Sequence, residues 1–162
     1  MNIRNVKAND INVFIRLYRK AYEGLEKYAY TRERDIKRYF KWLLSRDPNG
    51  FFIAELEEPV GFVACDTNWF SPFEKGPIGE IHELFVHPEY RGQGIGSRLV
   101  GKAIEYAKSR NRKRAGLWVG VENYGAKKFY KKLGFRETVT IGKWTRMIKN
   151  AVTKENKGDA KS

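Results

Sequence analysis

The spacing of apolar residues predicts two amphipathic helices in the first third of the chain. Apolar side chains recur every three or four residues from Ile11 to Ala21 and again from Ile36 to Leu44, which is typical of a helix with one buried face. Asp10 and Thr31 precede these stretches and are candidate N-caps. Asp47-Pro48-Asn49-Gly50 predicts the end of the second helix.

Most of the remaining chain consists of short apolar runs that predict strands. Phe51 to Leu56 and Val60 to Asp66 predict a hairpin, followed by a loop from about Thr67 to Gly79 and a half-buried strand from Glu80 to Val86. Later runs predict a helix from Ser97, a buried strand from Ala115 to Val121, a short helix from Tyr124 to Leu133, and a strand pair at Phe135 to Ile141 and Trp144 to Ile148. This order predicts an α/β fold with a mixed sheet.

The length and composition indicate one packed domain. We expect residues 1–149 to form it and residues 150–162 to be a disordered polar tail. The single cysteine, Cys65, excludes an intramolecular disulfide framework, and its apolar surroundings predict a buried thiol. No apolar run approaches the roughly 20 residues that span a bilayer, and the N-terminus lacks a signal-peptide pattern, so a cytoplasmic protein is expected.

The formal net charge of +13 predicts attraction to polyanions, including nucleic acids. The basic residues are spread along the chain and not gathered in one motif. A solvated basic surface that also suits a polyphosphate ligand explains the charge as well as a nucleic-acid site does. We therefore expect nucleic-acid binding to be weak and non-specific at most.

A glycine-rich stretch predicts an anion site. Pro88 ends the strand that begins at Glu80, and the segment Arg91-Gly92-Gln93-Gly94-Ile95-Gly96 then leads to Ser97 at the start of a helix. Glycines leave backbone N–H groups open to a ligand, and the first N–H groups of a helix lack intrahelical partners. The loop is therefore expected to hold a phosphate or pyrophosphate.

Two common phosphate motifs do not fit this loop. A Walker-type loop requires Gly-Lys-Ser/Thr, whereas Ser97-Arg98 follows Gly96 here. The glycine spacing is also one residue too short for a dinucleotide fingerprint. The segment resembles instead the Q/R-x-x-G-x-G/A signature of the GCN5-related N-acetyltransferase (GNAT) superfamily, which it matches at each fixed position.

A second stretch, Asn123 to Phe135, resembles the other signature of the same superfamily, N-x-x-A-x-x-F-Y-x-x-x-G-F. The resemblance implies a GNAT-like acyl-CoA N-acyltransferase fold, with a splayed central sheet flanked by helices and acetyl-CoA inserted where the fourth and fifth strands separate. Acetyl-CoA would be a co-substrate, and no metal is expected. The cofactor-binding residues that it implies are Leu84, Phe85 and Val86 for the pantetheine arm, Arg91, Gly92, Gln93, Gly94, Ile95, Gly96 and Ser97 for the pyrophosphate, and Asn123, Ala126 and Tyr130 beside the pantetheine and thioester.

The chemistry of amide formation assigns roles to a few of these groups. The tetrahedral oxyanion requires a donor, which the backbone N–H of Leu84 or Phe85 can supply. The resemblance places the Tyr130 phenol near the sulfur, where it can protonate the leaving thiolate. Glu80 and His82 project from one face of their strand and are both candidate bases, directly or through water. Glu83 is on the other face, where a structural contact with a helix is expected.

The leading hypothesis is an N-acetyltransferase that transfers acetyl directly to a primary amine in a ternary complex. A non-catalytic acyl-CoA-binding regulatory domain and a nucleic-acid-binding protein are the alternatives. The acceptor stays open between a peptide N-terminus, a lysine and a small amine. In this fold it would be bound by variable segments, which here are Tyr22 to Arg34 and Thr67 to Gly79. The oligomeric state is also open, with a homodimer as one option.

Overall fold

The computed structural model describes residues 1–152, which form a mixed α/β fold. Within this range the strands are β1 (Asn2–Asn5), β2 (Phe51–Glu55), β3 (Pro59–Ser71), β4 (Gly76–Val86), β5 (Arg114–Gly120), β6 (Arg136–Ile141) and β7 (Trp144–Asn150). The α-helices of the same range are α1 (Ile11–Ala21), α2 (Glu33–Arg46), α3 (Ile95–Ser109) and α4 (Tyr124–Lys132).

The strands form a single mixed sheet in the order β1-β2-β3-β4-β5-β7-β6. The pairs β1/β2, β2/β3, β5/β7 and β6/β7 are antiparallel, whereas β4 and β5 are parallel. The parallel ladder pairs Gly79 with Ala115 and Glu80 with Gly116, and β4 continues from there to Val86. The predicted α/β class with a mixed sheet is therefore confirmed.

The contacts divide the chain into two compact units. The first contains residues 1–66 and 81–103, and the second contains residues 67–80 and the described residues from 104 onward. β3, β4 and α3 each contribute residues to both units. The prediction of one domain over residues 1–149 stays a prediction.

An aromatic cluster forms the core of the first unit. The Phe14 ring of α1 lies at its centre, with centroid distances of 5.1 Å to Phe40, 5.2 Å to Phe62 and 5.3 Å to Phe85. The helical spacing correctly predicted the buried residues Phe14, Ile15, Leu17, Tyr18, Ala21, Ile36, Phe40 and Leu43. The hydrophobic faces of α1 and α2 thus supply much of this core.

The core of the second unit is built on the β5/β7 ladder, which runs from the pair Arg114–Asn150 to the pair Gly120–Trp144. Its buried apolar side chains include Leu117, Val119, Tyr130, Phe135, Met147 and Ile148. Beyond β7, Ala151 is buried and its N–H donates to the Lys113 carbonyl over 2.8 Å. Residues 153–162, most of the predicted polar tail, lie outside the described residues.

The predicted loop from Thr67 to Gly79 is wrong. β3 continues to Ser71 and β4 begins at Gly76, so the connection between them is only residues 72–75, with Lys75 at a φ of 59°. Thr67 and Ser71 are buried in β3, and distant arginines form hydrogen bonds with both. The Arg112 Nε donates to the Thr67 carbonyl over 2.7 Å, and an Arg146 nitrogen lies 3.3 Å from the Ser71 hydroxyl.

Of the two predicted N-caps, Asp10 lies at the N-cap position of α1 and Thr31 does not lie at that of α2. α2 begins at Glu33 with Arg32 at its N-cap position, so Thr31 is not the cap. The Asp10 carboxylate makes no capping bond to α1 and accepts from the Lys7 N–H at 2.7 Å and from Arg4. A charged partner outside the helix thus replaces the local cap. Among the described residues, no helix is long and apolar enough to cross a lipid bilayer.

Candidate active site

Two glycines of the Arg91–Gly96 segment have a left-handed backbone conformation. Gly92 and Gly94 both have a φ of 81°, a region that residues with a Cβ rarely adopt. Arg91, Gly92, Gln93 and Gly94 are exposed, and α3 begins at the buried Ile95, two residues earlier than predicted. The segment therefore presents exposed backbone at the N-terminal end of a fifteen-residue helix.

Arg91 is tied to the scaffold. One of its guanidinium nitrogens donates to the carbonyl of Ala21, the last residue of α1, over 3.0 Å. The cation thus stays beside the glycine segment and completes the last turn of α1. Gly96 is half-buried and Ser97 is exposed, so this part of the predicted pyrophosphate site faces outward together with the glycines.

The remaining candidate site residues of the first unit lie on β4 and alternate between its two faces. His82 and Leu84 are half-buried, whereas Glu83, Phe85 and Val86 are buried. The side chains of Phe85 and Glu83 project toward the aromatic core and the tyrosines of α1 and α2. This alternation agrees with the period of two that the sequence predicted.

The structure places Glu80, a predicted base, in a buried ion pair. Its Oε1 and Oε2 accept from the Arg146 guanidinium at 2.8 and 3.0 Å, and its side chain is 3% exposed. Arg146 also donates to Glu74 at 2.7 Å. Burial alone would lower the pKa of Arg146, but the hydrogen bonds that it donates to Glu80 and Glu74 outweigh this effect and raise that pKa. Both Glu80 oxygens are therefore engaged by a cation.

Sequence reasoning missed Arg146. It stands on β7 among alternating residues and resembles a solvent-facing charge, yet it is among the largest fully buried side chains. Its guanidinium carbon lies 5.2 Å from the centroid of the Trp118 ring and 5.8 Å from that of Phe73. Because its partners lie 66 and 72 positions away, no local pattern could have identified it.

The structure places His82, the other predicted base, in a polar cluster of the first unit. The ring Nε2 lies 2.9 Å from the Asp66 Oδ2, which also accepts from the Arg46 Nε at 2.7 Å. The side chain of Asp66 is 2% exposed and that of His82 is 10% exposed. The Trp42 ring lies 4.7 Å from the imidazole and is 40% exposed. A buried carboxylate thus orients an imidazole that has some access to solvent.

Glu83 contacts one tyrosine at the end of α1 and one on α2, in agreement with the helix contact predicted for its face of the strand. The hydroxyl of Tyr22, which follows α1, donates to Oε2, and the hydroxyl of Tyr39 on α2 lies 2.8 Å from Oε1. Burial raises the pKa of Glu83 to about 7, although bonds from Tyr22, Tyr39 and the Leu84 N–H lower it. The same burial and the nearby Glu83 raise the pKa of Tyr39.

The second motif lies at the end of β5 and on α4. The Asn123 side chain is the N-cap of α4 and accepts from the Ala126 N–H at 3.3 Å. Tyr130 is 8% exposed, and its ring lies 5.1 Å from Phe129 and 5.5 Å from Phe135. Asn123 and Ala126 are therefore hydrogen-bonded to each other, and the Tyr130 ring packs against Phe129 and Phe135.

Comparison with known proteins supports the two motifs. The model of the acetyltransferase (GNAT) family matches residues 12–135. An uncharacterized N-acetyltransferase of Archaeoglobus fulgidus is 62% identical over 131 residues, which is 80% of this chain and 89% of that protein. One from Methanocaldococcus jannaschii is 55% identical over 148 residues, 91% of this chain, and the match spans 66% of the relative's length.

A solved structure extends the similarity to three dimensions. The crystal structure of a Pyrococcus horikoshii protein superposes with a TM-score of 0.83 at 36% identity, covering 92% of this chain and 97% of the other. The family match covers most of the chain, and both uncharacterized relatives carry the enzyme class that the motifs predicted. The chain therefore belongs to the acetyltransferase (GNAT) family and is an enzyme of the N-acetyltransferase class.

Proposed function

We propose that this enzyme uses acetyl-CoA to acetylate a primary amine by direct attack in a ternary complex. The observation that carries the proposal is the Arg91–Ser97 segment, in which two left-handed glycines expose backbone at the start of α3. A diphosphate is the ligand that such a helix start favours, because unpaired N–H groups and the helix dipole both attract anions. The cation of Arg91, fixed on the Ala21 carbonyl, adds positive charge beside it.

The pantetheine arm is assigned to the backbone of Leu84, Phe85 and Val86 at the end of β4. The ladder between β4 and β5 pairs only Gly79 and Glu80 of β4, whereas β4 continues to Val86. The N–H and C=O groups of β4 beyond this ladder can pair with a ligand that contains amide groups. Asn123 contributes through its side-chain N–H groups, because its carbonyl oxygen already caps α4. Ala126 lies in the first turn that this cap fixes.

We assign the base to His82 in preference to Glu80. Both oxygens of Glu80 accept from Arg146, and leaving that ion pair would strand a buried cation. The His82 imidazole is more accessible, and Asp66 fixes its orientation through Nε2. An imidazole oriented by a carboxylate can take the amine proton directly or through water.

The proposed acetyl transfer needs an acid, Tyr130, in addition to the base His82. The amine nitrogen forms a bond to the acetyl carbon, the carbon–sulfur bond breaks, and the amine proton passes to His82. The oxyanion that forms in between accepts from the Leu84 or Phe85 N–H. The thiolate takes its proton from the Tyr130 phenol, as the family resemblance assigns.

We propose that the acceptor amine reaches His82 along the exposed aromatic side chains beside it. Trp42 is 40% exposed beside the imidazole, and Tyr30 is 51% exposed with its ring 5.2 Å from Tyr39. Exposed aromatic faces favour an ammonium group or apolar carbons next to the amine. Either a peptide N-terminus with an apolar first residue or a small apolar amine fits this chemistry.

Calorimetry with acetyl-CoA tests the donor, and thiol release with an acceptor panel tests the reaction. The panel contains peptides with free and blocked N-termini, lysine peptides and small amines. We expect the wild-type protein to bind acetyl-CoA and Gly94→Ala to bind it more weakly, because a side chain at a φ of 81° strains the loop. Gly101→Ala is the control, since a Cβ there meets open space. No affinity for acetyl-CoA in the wild-type protein would refute the proposal.

A further inference from the structure

The hydroxyl of Tyr39 lies within hydrogen-bond distance of two acceptors on β4. It is 2.8 Å from the Glu83 Oε1 and 3.0 Å from the backbone carbonyl oxygen of His82. A phenol has a single hydrogen to donate. If Glu83 is ionised, Tyr39 therefore cannot give a full hydrogen bond to both oxygens.

If Glu83 carries a proton, each of the three close contacts can be a full hydrogen bond. A protonated Oε1 donates to the Tyr39 oxygen, the Tyr39 hydrogen then goes to the His82 carbonyl, and Tyr22 still donates to Oε2. The titratable groups that face Glu83 from these elements are Tyr18 on α1, Tyr22 directly after α1 and Tyr39 on α2. None of these three carries a positive charge that would favour the ionised carboxylate.

The same carboxyl group acts on the next residue of β4. An ionised Glu83 accepts from the Leu84 N–H, and this bond is one of the contributions that lower its pKa. The Leu84 backbone is assigned to the pantetheine arm in the proposed function, and its N–H is one of the two candidate donors to the oxyanion. A carboxylate at position 83 and an acyl-CoA would therefore compete for one donor, whereas a neutral Glu83 would leave it to the ligand.

We propose that Glu83 is a positioning residue whose proton decides how the His82–Leu84 backbone is used. Protonated Glu83 holds Tyr39 on the His82 carbonyl and leaves the Leu84 N–H for acetyl-CoA. Ionised Glu83 draws both Tyr39 and the Leu84 N–H to itself and weakens acetyl-CoA binding. This inference rests on the proposed acetyl-CoA-dependent function.

The test measures the affinity for acetyl-CoA by calorimetry from pH 6 to pH 8. The protonated fraction of a group with a pKa of about 7 falls about tenfold over this range, so the affinity of the wild-type protein should fall about tenfold. Glu83→Gln places an N–H donor where the carboxyl proton was and should keep its affinity across the range. Glu57→Gln, an exposed site in the turn after β2, is the matched control and should behave as the wild type.

The coenzyme's own phosphates also titrate in this range, but they affect binding to the wild type and to both variants equally. A pH dependence that differs between Glu83→Gln and the wild type is therefore due to Glu83. Identical pH dependence in Glu83→Gln and wild type would overturn the inference while leaving the proposed function intact. No binding at any pH would instead refute the proposed function. Infrared difference spectra of the unliganded protein give a second readout: a carboxylic-acid carbonyl band at pH 6 that Glu83→Gln lacks supports the inference, and its absence in the wild type overturns it.

Discussion

Gly116 leaves the space that the Arg146 guanidinium occupies. A Cβ at position 116 would lie 2.5 Å from the Arg146 Nη2, and it would also lie 2.8 Å from Ile148 and 3.0 Å from Ile78. Arg146 is paired with Trp118 in the β5/β7 ladder, so its side chain extends back along β5 over Gly116 toward Glu80. The missing side chain on β5 is what allows a buried cation to reach the carboxylates.

Gly116→Ala should therefore destabilise the protein by about 2–4 kcal/mol, because the methyl group overpacks the site and displaces a buried ion pair. Urea unfolding monitored by tryptophan fluorescence measures this loss. Gly101→Ala on α3 is the matched control. Its Cβ meets nothing within 4 Å, so we expect a gain of about 0.5–1 kcal/mol from helix propensity. Equal stability of the two variants would contradict the close approach.

Arg146→Met should destabilise the protein by about 3–5 kcal/mol, because it leaves Glu80 and Glu74 buried without their cation. The triple variant that also carries Glu80→Gln and Glu74→Gln should recover part of this loss. Lys37→Met removes a cation from an exposed ion pair with Glu33 and should change the free energy of unfolding by less than about 0.5 kcal/mol. Failure of the triple variant to recover any stability would show that packing, and not charge, accounts for the loss.

Local patterns in the sequence identified the parts of the site that depend on backbone conformation. The glycines of the Arg91–Gly96 segment predicted an open backbone, and Gly92 and Gly94 have a φ of 81°, a conformation that depends only on nearby backbone geometry. Strand alternation correctly separated Glu83 from His82. The helical spacing predicted most of the buried face of α1 and α2 for the same reason: each depends on neighbours within a few residues.

Long-range partners decided the features that the sequence did not reveal. Thr67 and Ser71 continue a strand because arginines distant in sequence satisfy their polar groups. Asp66, at the end of a predicted strand, gave no local sign that it would bond to both Arg46 and His82. A polar residue is buried only where a partner reaches it, and that partner is known only once the chain is folded.

The assignment of His82 as the base predicts different pH–rate profiles for two variants. His82→Ala should lower kcat by about 100-fold or more and remove the acidic limb of the profile, because the imidazole must be neutral to accept the proton. Glu80→Gln should keep that limb, whatever its effect on stability. His87→Ala changes the only other histidine of the chain and serves as the control, with the limb retained. Loss of the limb in Glu80→Gln would return the base to Glu80.

Glu83 predicts how the stability of the wild-type protein depends on pH. The pKa of Glu83 is about 7 in the folded protein against 4.5 for a solvent-exposed glutamate, so the folded state binds the proton more tightly. The contribution of Glu83 protonation to the free energy of unfolding is therefore fully present below about pH 4.5. It decreases by about 3 kcal/mol in total as the pH rises to about 7. Glu83→Gln lacks this titration. The difference in unfolding free energy between the variant and the wild type should grow in favour of Gln between pH 4 and pH 8, and a constant difference would contradict the raised pKa.

Tyr130→Phe tests the proposed acid while keeping the aromatic ring. The Tyr130 ring packs against Phe129 and Phe135, and Phe retains that packing, so the fold and the affinity for acetyl-CoA should be unchanged. Loss of the phenol proton leaves the thiolate without its donor, and kcat should fall about 100-fold or more in single-turnover and steady-state assays. Tyr124→Phe removes the hydroxyl of a 70% exposed tyrosine on the same helix and should leave kcat unchanged. Wild-type turnover by Tyr130→Phe would show that water or another group protonates the leaving thiolate.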